Sequence, residues 1–273
     1  MVDASKVPLA VSCLTYWELP PPDAVIASVE AGCQYISLRI VQRGPQPPGT
    51  EIVPGNSVFK ETKRRLQSEG LPVLDVEAWD VGPSFNLTNY EIALAAAAEL
   101  GARHVLTTVT DSDRNRRIDN FSALCQAAAP YNLSVDVEFI PWNAVHNYIE
   151  ARALVDAAAQ PNGSILVDPL HLDRGNTTIT EIASAPKHLF RFMQFCDGEK
   201  LINPTNEDLM FSARNERLFP DEGQIDLVGI LHAMPPSIPL SLEIPREKLS
   251  KTVPAAERIK RAVDATRRVL ARI

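Results

Sequence analysis

Short runs of apolar, β-branched residues alternate with longer amphipathic stretches along the whole chain. Apolar runs of about four to eight residues are typical of buried strands, and apolar residues repeating every three or four positions are typical of helices. Eight strands are predicted in this way, at 9–13, 35–40, 73–77, 104–109, 134–139, 164–168, 189–195 and 240–244. Eight parallel strands, each followed by a helix, can close into a barrel.

Helical periodicity fills the segments between these strands. The predicted helices lie near 23–31, 57–69, 90–100, 117–129, 144–158, 180–183, 224–232 and 255–273. Strands that are buried on both faces should be continuously apolar, as Ile165-Leu166-Val167 is. A barrel of this kind uses about 250 residues, close to the 273 of this chain. We therefore predict the α/β class and a single (β/α)8 TIM-barrel domain over residues 1–273.

One connection is much longer than the others. About thirty residues separate Gln194 from the helix predicted near 224, and they include several charged side chains. Long connections in compact domains are usually lids or binding loops. Because this one follows a strand, we expect it at the carboxyl face of the barrel, where barrel enzymes have their active sites.

Four predicted strands stop on a side chain that carries an oxygen ligand. These residues are Glu138, Asp168, Gln194 and Glu243. Because the carboxyl ends of parallel strands converge, three carboxylates and one amide oxygen would meet around a cation. Such a hard, oxygen-rich set suits one Mg²⁺ or Mn²⁺ ion. The alternative for each acidic residue is that it caps the next helix or pairs with an arginine.

His171 follows Asp168 by three residues, in Asp-Pro-Leu-His. A turn after the strand would aim its imidazole at a substrate, where a neutral imidazole can donate to a substrate oxygen or transfer a proton. The alternative is a loop histidine bonded to a backbone carbonyl. We expect the functional role.

Four further residues are candidates for substrate binding. Glu77 and Trp142 follow strands and would line the mouth, although packing under loops explains them equally well. Arg214 and Arg217 lie in the long connection, where a guanidinium can form paired hydrogen bonds with a carboxylate or phosphate. Arg217 is the stronger candidate because Pro-Asp-Glu-Gly at 220–223 would hold its backbone still.

Charge, hydropathy and motifs argue against several classes of function. A formal net charge of -7 argues against nucleic-acid binding, which relies on clustered Lys and Arg. The amino end lacks a signal-peptide pattern and no apolar run approaches the ~20 residues that span a bilayer, so we expect a cytoplasmic protein without membrane association. No Gly-rich phosphate-binding motif supports a nucleotide cofactor. Widely separated cysteines, at 13, 33, 125 and 196, are expected to be free and packed as small hydrophobes.

Five short segments carry a family resemblance. They are Val-Glu-Phe-Ile-Pro-Trp (137–142), Val-Asp-Pro-Leu-His (167–171), Gln-Phe-Cys-Asp-Gly (194–198), Leu-Phe-Pro-Asp-Glu-Gly (218–223) and Ser-Leu-Glu-Ile-Pro (241–245). The chain thereby resembles the sugar phosphate isomerase/epimerase family of the xylose isomerase-like superfamily. This resemblance implies a TIM barrel with Mn²⁺ or Mg²⁺ at the four strand-end ligands. It also implies that Glu138 and Glu243 act as acid and base and that His171 contacts the substrate. One departure is Gln194, where many members carry His.

The resemblance and the ligand set together favour an isomerase or epimerase. Its substrate would be a keto-sugar or polyhydroxy ketone that loses a proton alpha to the carbonyl and passes through a metal-stabilised enediolate. The alternative is a dehydratase of a cyclic keto acid or inosose, such as 3-dehydroshikimate. A nuclease of the AP-endonuclease type and a non-catalytic barrel are more remote. The superfamily likeness also implies a homo-oligomer, either a dimer or a tetramer.

Overall fold

Eight parallel strands form the centre of the molecule. The computed structural model describes residues 6–41 and 46–273. The strands are β1 (Leu9–Val11), β2 (Tyr35–Arg39), β3 (Val73–Val81), β4 (His104–Val109), β5 (Ser134–Glu138), β6 (Gly163–Leu166), β7 (Met193–Phe195) and β8 (Leu240–Leu242). Each overlaps one of the predicted strands, so the alternation of apolar runs located all eight.

Helices follow the strands along the chain. They are α1 (Pro21–Glu30), α2 (Ser57–Glu69), α3 (Glu91–Glu99), α4 (Arg114–Ala128), α5 (Tyr148–Ala158), α6 (Pro169–Arg174), α7 (Ile179–Ser184), α8 (Asn206–Asn215), α9 (Leu227–Ala233), α10 (Glu247–Ser250) and α11 (Ala255–Leu270). The ends of α2 show why it forms where it does. The Asn56 side chain accepts from the Phe59 backbone N–H at 2.7 Å, and Gly70 ends the helix with φ of 64°.

The strands form one sheet that curves into a nearly closed barrel. Their order is β6-β5-β4-β3-β2-β1-β8-β7, and every paired strand is parallel. The two ends of this order meet at a parallel bridge between Val167 and Met193, and the Gln194 N–H donates to the Val167 carbonyl at 3.0 Å. The predicted TIM-barrel fold is therefore confirmed.

Two layers of apolar side chains stabilise the barrel. A small cluster is formed by Ala10, Leu74, Ala78, Leu106, Leu166 and Phe192, and a much larger one joins the strands to the helices. Burying apolar area contributes about 25 cal/mol per Å², which makes these layers the main source of stability. All four cysteines are buried and free, as expected. Among the described residues, no helix has the length and apolar character needed to cross a membrane.

Several elements differ from the prediction: the helices α6, α8 and α10 were not predicted, and strand β3 is longer than predicted. The connection predicted after Gln194 contains the helix α8, which begins at a capping box formed by Thr205 and Asp208. Thr-x-x-Asp is a recognisable helix start, but the polar residues around it obscured the helix. Strand β3 was predicted to end at Glu77 and continues to Val81, because Trp79 is fully buried and the strand keeps pairing with β4.

Candidate active site

A cavity of about 520 Å³ opens at the carboxyl ends of the strands. Seven of the predicted site residues line it: Glu77, Glu138, Trp142, His171, Arg214, Arg217 and Glu243. The remaining two, Asp168 and Gln194, are fully buried and do not line the cavity. The volume is in the range of small-molecule sites.

Arg217 is the most connected side chain of the site. Its Nη1 lies 2.6 Å from Asp168 Oδ2 and its Nη2 lies 2.6 Å from Glu243 Oε2. Its Nε donates to the Ala213 carbonyl at 2.8 Å. With only 2% of the side chain exposed, the guanidinium forms a buried bridge between two of the predicted metal ligands.

Asp168 both caps a helix and pairs with an arginine. It precedes the short helix α6, and its Oδ1 accepts from the Leu170 backbone N–H at 2.8 Å, as a helix cap does. Its Oδ2 faces Arg217. Burial alone would raise the pKa of Asp168, but the Arg217 charge, His171 and the Leu170 N–H together hold that pKa below its usual value.

Three side chains bring metal-ligating atoms together. Within the described part of the chain, Glu138, Asp168 and His171 form a group whose ligand atoms lie within 4.8 Å of one another. His171 Nε2 is 3.7 Å from Glu138 Oε1 and 3.9 Å from Asp168 Oδ2. His171 was expected in a turn and lies in α6, directly after the strand-end aspartate.

Two buried oxygen atoms lack a hydrogen-bond partner in the described part of the chain, and the one on Glu138 belongs to this group. Glu138 Oε1 and Gln194 Oε1 are buried, and neither has a hydrogen-bond partner among the described residues. Leaving such atoms without a partner is unfavourable, and a divalent ion would satisfy them. The donor set at Glu138, Asp168 and His171 therefore fits a divalent cation, and Arg217 pairs with both Asp168 and Glu243.

The two glutamates of the cavity have raised pKa values. Burial raises the pKa of Glu138 well above its usual value, and the negative charges of Glu243 and Asp168 raise it further. Burial also raises the pKa of Glu243, to about 7, against the opposing effect of Arg217. Burial lowers the pKa of His171 to about 4, although Asp168 acts in the other direction. His171 is consequently neutral at pH 7.

A second set of polar contacts adjoins Glu243, and two of its members, Ser12 and Arg39, were not among the predicted site residues. The Ser12 hydroxyl lies 3.0 Å from Glu77 Oε1 and 3.1 Å from Glu243 Oε1, while Arg39 pairs with Glu77 at 3.0 Å. Burial raises the pKa of Glu77, but the Arg39 charge and the hydrogen bonds from Arg39, Cys13 and Ser12 together hold that pKa below its usual value. Ser12 and Arg39 sit at strand ends, as the predicted ligands do, but neither residue type suggests a metal ligand.

An aromatic and an arginine form the outer wall. The Trp142 ring meets the His171 ring edge to face, with centroids 5.4 Å apart. The Arg214 guanidinium lies over the Trp142 ring, with its Cζ 5.9 Å from the ring centroid. Trp142 is half-buried and Arg214 is exposed, so both border the entrance.

The long connection is fixed by one carboxylate. Asp197 accepts hydrogen bonds of 2.8 to 3.1 Å from the backbone N–H groups of Gly198, Asp221, Gly223 and Ile225. Its own backbone pairs with Leu218, the residue after Arg217. The rigid support expected from Pro-Asp-Glu-Gly therefore depends on Asp197, which had no assigned role.

Comparison with known proteins assigns this fold to a family. Residues 25–269 match the family described as xylose isomerase-like TIM barrel. The chain belongs to that family. No match is found among curated proteins. The match confirms the resemblance seen in the sequence, and the family's structural relatives include isomerase-like proteins and epimerases.

Three solved structures with the same fold are similar to this chain. The IolI protein with a bound zinc atom is 20% identical, with a TM-score of 0.81, and the alignment covers 97% of this chain and 98% of that chain. D-allulose 3-epimerase from Methylomonas sp. is 15% identical, with a TM-score of 0.71 and coverage of 96% and 98%. The probable 3-DHS dehydratase AsbF from Bacillus anthracis is 14% identical, with a TM-score of 0.74 and coverage of 94% and 97%. At these identities the likeness establishes the fold.

Proposed function

We propose that this chain is an isomerase or epimerase that acts on a keto-sugar or polyhydroxy ketone. It would remove and return a proton at the carbon next to a carbonyl group. The observation that carries the proposal is a pair of buried glutamates, Glu138 on β5 and Glu243 directly after β8, that line one sugar-sized cavity from separate strands. Two carboxyl groups around one substrate can take a proton from it and give one back.

The protonation of these groups suits that role. A general base works best when its pKa is near the working pH, and burial raises the pKa of Glu243 to about 7. The Arg217 guanidinium fixes Glu243 in place and carries positive charge into the cavity, where it would stabilise negative charge on a substrate oxygen. Trp142 would supply an apolar wall, and Glu77 and Arg214 would bind hydroxyl or acidic groups.

The proposal includes one divalent cation, Mn²⁺ or Mg²⁺. Glu138 and Asp168 would hold it, with His171 beside them and the amide oxygen of Gln194 as a further donor. When bound, such an ion supplies Lewis-acid stabilisation of negative charge on substrate oxygens. His171, which burial keeps neutral at pH 7, is in the form that either ligates a metal or donates to an oxygen.

A dehydratase of a cyclic keto acid, such as 3-dehydroshikimate, is the second candidate. One observation favours it: Arg214 lies exposed at the cavity mouth with a ring contact to Trp142 and no carboxylate partner in the described part of the chain. A substrate carboxylate would provide that partner. His171, neutral at pH 7, would then donate a hydrogen bond to the hydroxyl group that leaves. The solved dehydratase relative is consistent with this chemistry on the same fold.

The experiment that separates these functions is incubation with Mn²⁺ in deuterated water. The panel contains keto-sugars, including D-allulose, and cyclic keto acids. Deuterium at the carbon alpha to the carbonyl without loss of water supports an isomerase or epimerase. A new conjugated absorbance supports the dehydratase. Neither signal with any compound, from folded and Mn²⁺-supplied protein, would reject both. We also propose a dimer or tetramer in solution, which light scattering measures.

A further inference from the structure

Glu243 lies just beyond the end of its strand. Strand β8 ends at Leu242, whose carbonyl accepts from the Ser12 N–H at 2.9 Å. After Ser12 the chain leaves β1 in a short 3-10 helix, Cys13–Tyr16, so its backbone no longer runs beside β8. On the β7 side, the Glu243 N–H donates to the Phe195 carbonyl at 3.3 Å, which is long for such a bond. On the β1 side, the backbone around Glu243 therefore needs support from a group other than a strand.

The Thr15 hydroxyl gives that support. Its Oγ1 donates to the Leu242 carbonyl at 2.7 Å and accepts from the Ile244 N–H at 2.8 Å. These two backbone groups flank Glu243 in the chain. A hydroxyl has one proton to donate and lone pairs to accept, so both bonds form at once. Thr15 is only 1% exposed, and its side chain takes the place of a strand residue beside Glu243.

The Thr15 backbone is itself anchored to the last helix. Arg258 on α11 is buried, and its Nη2 donates to the Thr15 carbonyl at 3.1 Å. Its Nη1 donates to the Val253 carbonyl at 2.8 Å, and Glu18 pairs with the same guanidinium at 2.7 Å. None of these contacts involves Glu243, so they hold Thr15 in place independently of that residue.

The Glu243 carboxylate is held by different groups from its backbone. Oε1 lies 3.1 Å from the Ser12 hydroxyl, and Oε2 lies 2.6 Å from Arg217 Nη2. A shift of the backbone moves the carboxylate relative to both partners and to the cavity. Proton transfer is sensitive to such a shift, because a misplacement of about 1 Å can lower a rate by about a hundredfold.

We propose that Thr15 is a positioning residue for Glu243. Its hydroxyl fixes the backbone at 242–244 and thereby sets where the Glu243 carboxylate lies in the cavity. Thr15 does not line the cavity, so it acts through Glu243 and not on the substrate. The catalytic consequence rests on the proposed function, whereas the effect on the position of Glu243 requires no turnover.

The test replaces the hydroxyl by a methyl group, in Thr15→Val. A methyl carbon approaches an oxygen no closer than about 3.3 Å, against 2.7 Å for the hydroxyl, so the backbone at 242–244 must move by about 0.5 Å. Thr15→Ser keeps the hydroxyl and should keep both bonds. Thr62→Val is the matched control, because the buried Thr62 hydroxyl donates to the Val58 carbonyl within α2 and does not line the cavity.

Amide hydrogen exchange of the full chain, followed by nuclear magnetic resonance, measures the two bonds without substrate. In Thr15→Val, the Ile244 amide has lost its acceptor and should exchange at least about tenfold faster than in the wild type. The Leu240 amide, which donates to the Pro8 carbonyl at the start of β8, should keep its rate. In Thr15→Ser and Thr62→Val, both amides should stay within about threefold of the wild type.

Crystal structures and kinetics measure the consequence for Glu243. The carboxylate should lie about 0.5 Å or more from its wild-type position in Thr15→Val and should keep that position in Thr15→Ser. With Mn²⁺ and a substrate that the wild type turns over, kcat of Thr15→Val should fall by about tenfold or more. KM should stay within about threefold, because the residues that line the cavity are unchanged. Thr15→Ser should restore kcat, which a general loss of stability would not explain.

Several outcomes would overturn the inference. The first is a folded Thr15→Val chain in which the Ile244 amide exchanges at the wild-type rate or the Glu243 carboxylate keeps its position. The second is a Thr15→Val chain with the wild-type kcat, or a Thr15→Ser chain as slow as Thr15→Val. If Thr15→Val does not fold, the wild type decides. Exchange of its Ile244 amide as slow as that of Leu240 supports the bond to Thr15, and exchange at the rate of an unprotected amide overturns it.

Failure of the proposed function has a different signature. A wild-type chain that turns over none of the sugars or keto acids would reject that function. The exchange rates and the crystal structures would then decide whether Thr15 positions Glu243.

Discussion

Glu243 is held where a negative charge is unfavourable, and this makes stability depend on pH. Burial raises its pKa from 4.5 to about 7 in the folded chain. A carboxyl group with a raised folded-state pKa contributes its full stability below pH 4.5, and that contribution is lost as the pH rises towards 7. Glu243→Gln is neutral throughout and should therefore gain stability relative to the wild type across this window, by at most about 3 kcal/mol.

Urea unfolding of both chains, at several pH values and with a chelator present, measures this difference. A stability difference that stays constant with pH would mean that Glu243 ionises with an ordinary pKa in the folded protein.

Replacement of Ser12 is expected to lower the stability of the folded protein. Its buried hydroxyl contacts Glu77 and Glu243, and Ser12→Ala leaves these carboxylates without that donor. Loss of one partner of a buried hydrogen bond costs about 1–3 kcal/mol. Ser28→Ala is the control, because the Ser28 hydroxyl only donates to the Ala24 carbonyl within α1. In urea unfolding, a Ser12→Ala variant no less stable than Ser28→Ala would contradict this role.

The sequence indicates which candidate site residues lie at strand ends, but it does not indicate which side chains contact them. It selected Glu138, Asp168 and Glu243 because residue type and strand position can both be read from the sequence. The sequence does not predict that Arg217 bridges two of these carboxylates, because that contact depends on the path of the chain from α8 to β8. The roles assigned to the individual site residues stay predictions until variants are measured.

At the scale of elements, the connection between β7 and α9 depends on one side chain. Asp197 accepts hydrogen bonds from four backbone N–H groups of this connection. Asp197→Asn replaces one accepting oxygen by a donor that faces N–H groups. We expect amide hydrogen exchange in 221–225 to accelerate by about tenfold or more, corresponding to about 1.4 kcal/mol, while the strands keep their protection.

Asp226→Asn is the matched control for this experiment. Asp226 caps α9 through the Gly229 N–H at 2.9 Å, and Asn caps equally well. Exchange in 221–225 that is the same in both variants would show that Asp197 does not hold the connection.

Elements were predicted accurately where hydrophobic periodicity determines them. All eight strands were found because each contains a short group of buried apolar residues, and α2 was predicted with the bounds that it has, 57–69. Elements were missed where polar residues dominate, as in α8, whose stability comes from its capping box and its packing at the cavity. Periodicity carries no information about such a helix.

For the whole molecule, the prediction of a single domain implies that the chain unfolds cooperatively. A single core joins strands from both ends of the chain, and β1 pairs directly with β8. We therefore expect one transition in differential scanning calorimetry, with a calorimetric enthalpy that equals the van't Hoff enthalpy. Two resolved transitions would contradict a single cooperative barrel.

In the proposed mechanism, two glutamates on separate strands transfer protons to and from one substrate. The most direct measurement is solvent-deuterium exchange at the carbon alpha to the carbonyl, followed by nuclear magnetic resonance on the sugar that the wild type turns over. Glu138→Gln and Glu243→Gln should each lower the exchange rate by about a hundredfold or more. Glu247→Gln, which changes another glutamate of the cavity lining, should keep the wild-type rate. Exchange that persists at the wild-type rate in Glu138→Gln or Glu243→Gln would contradict the account.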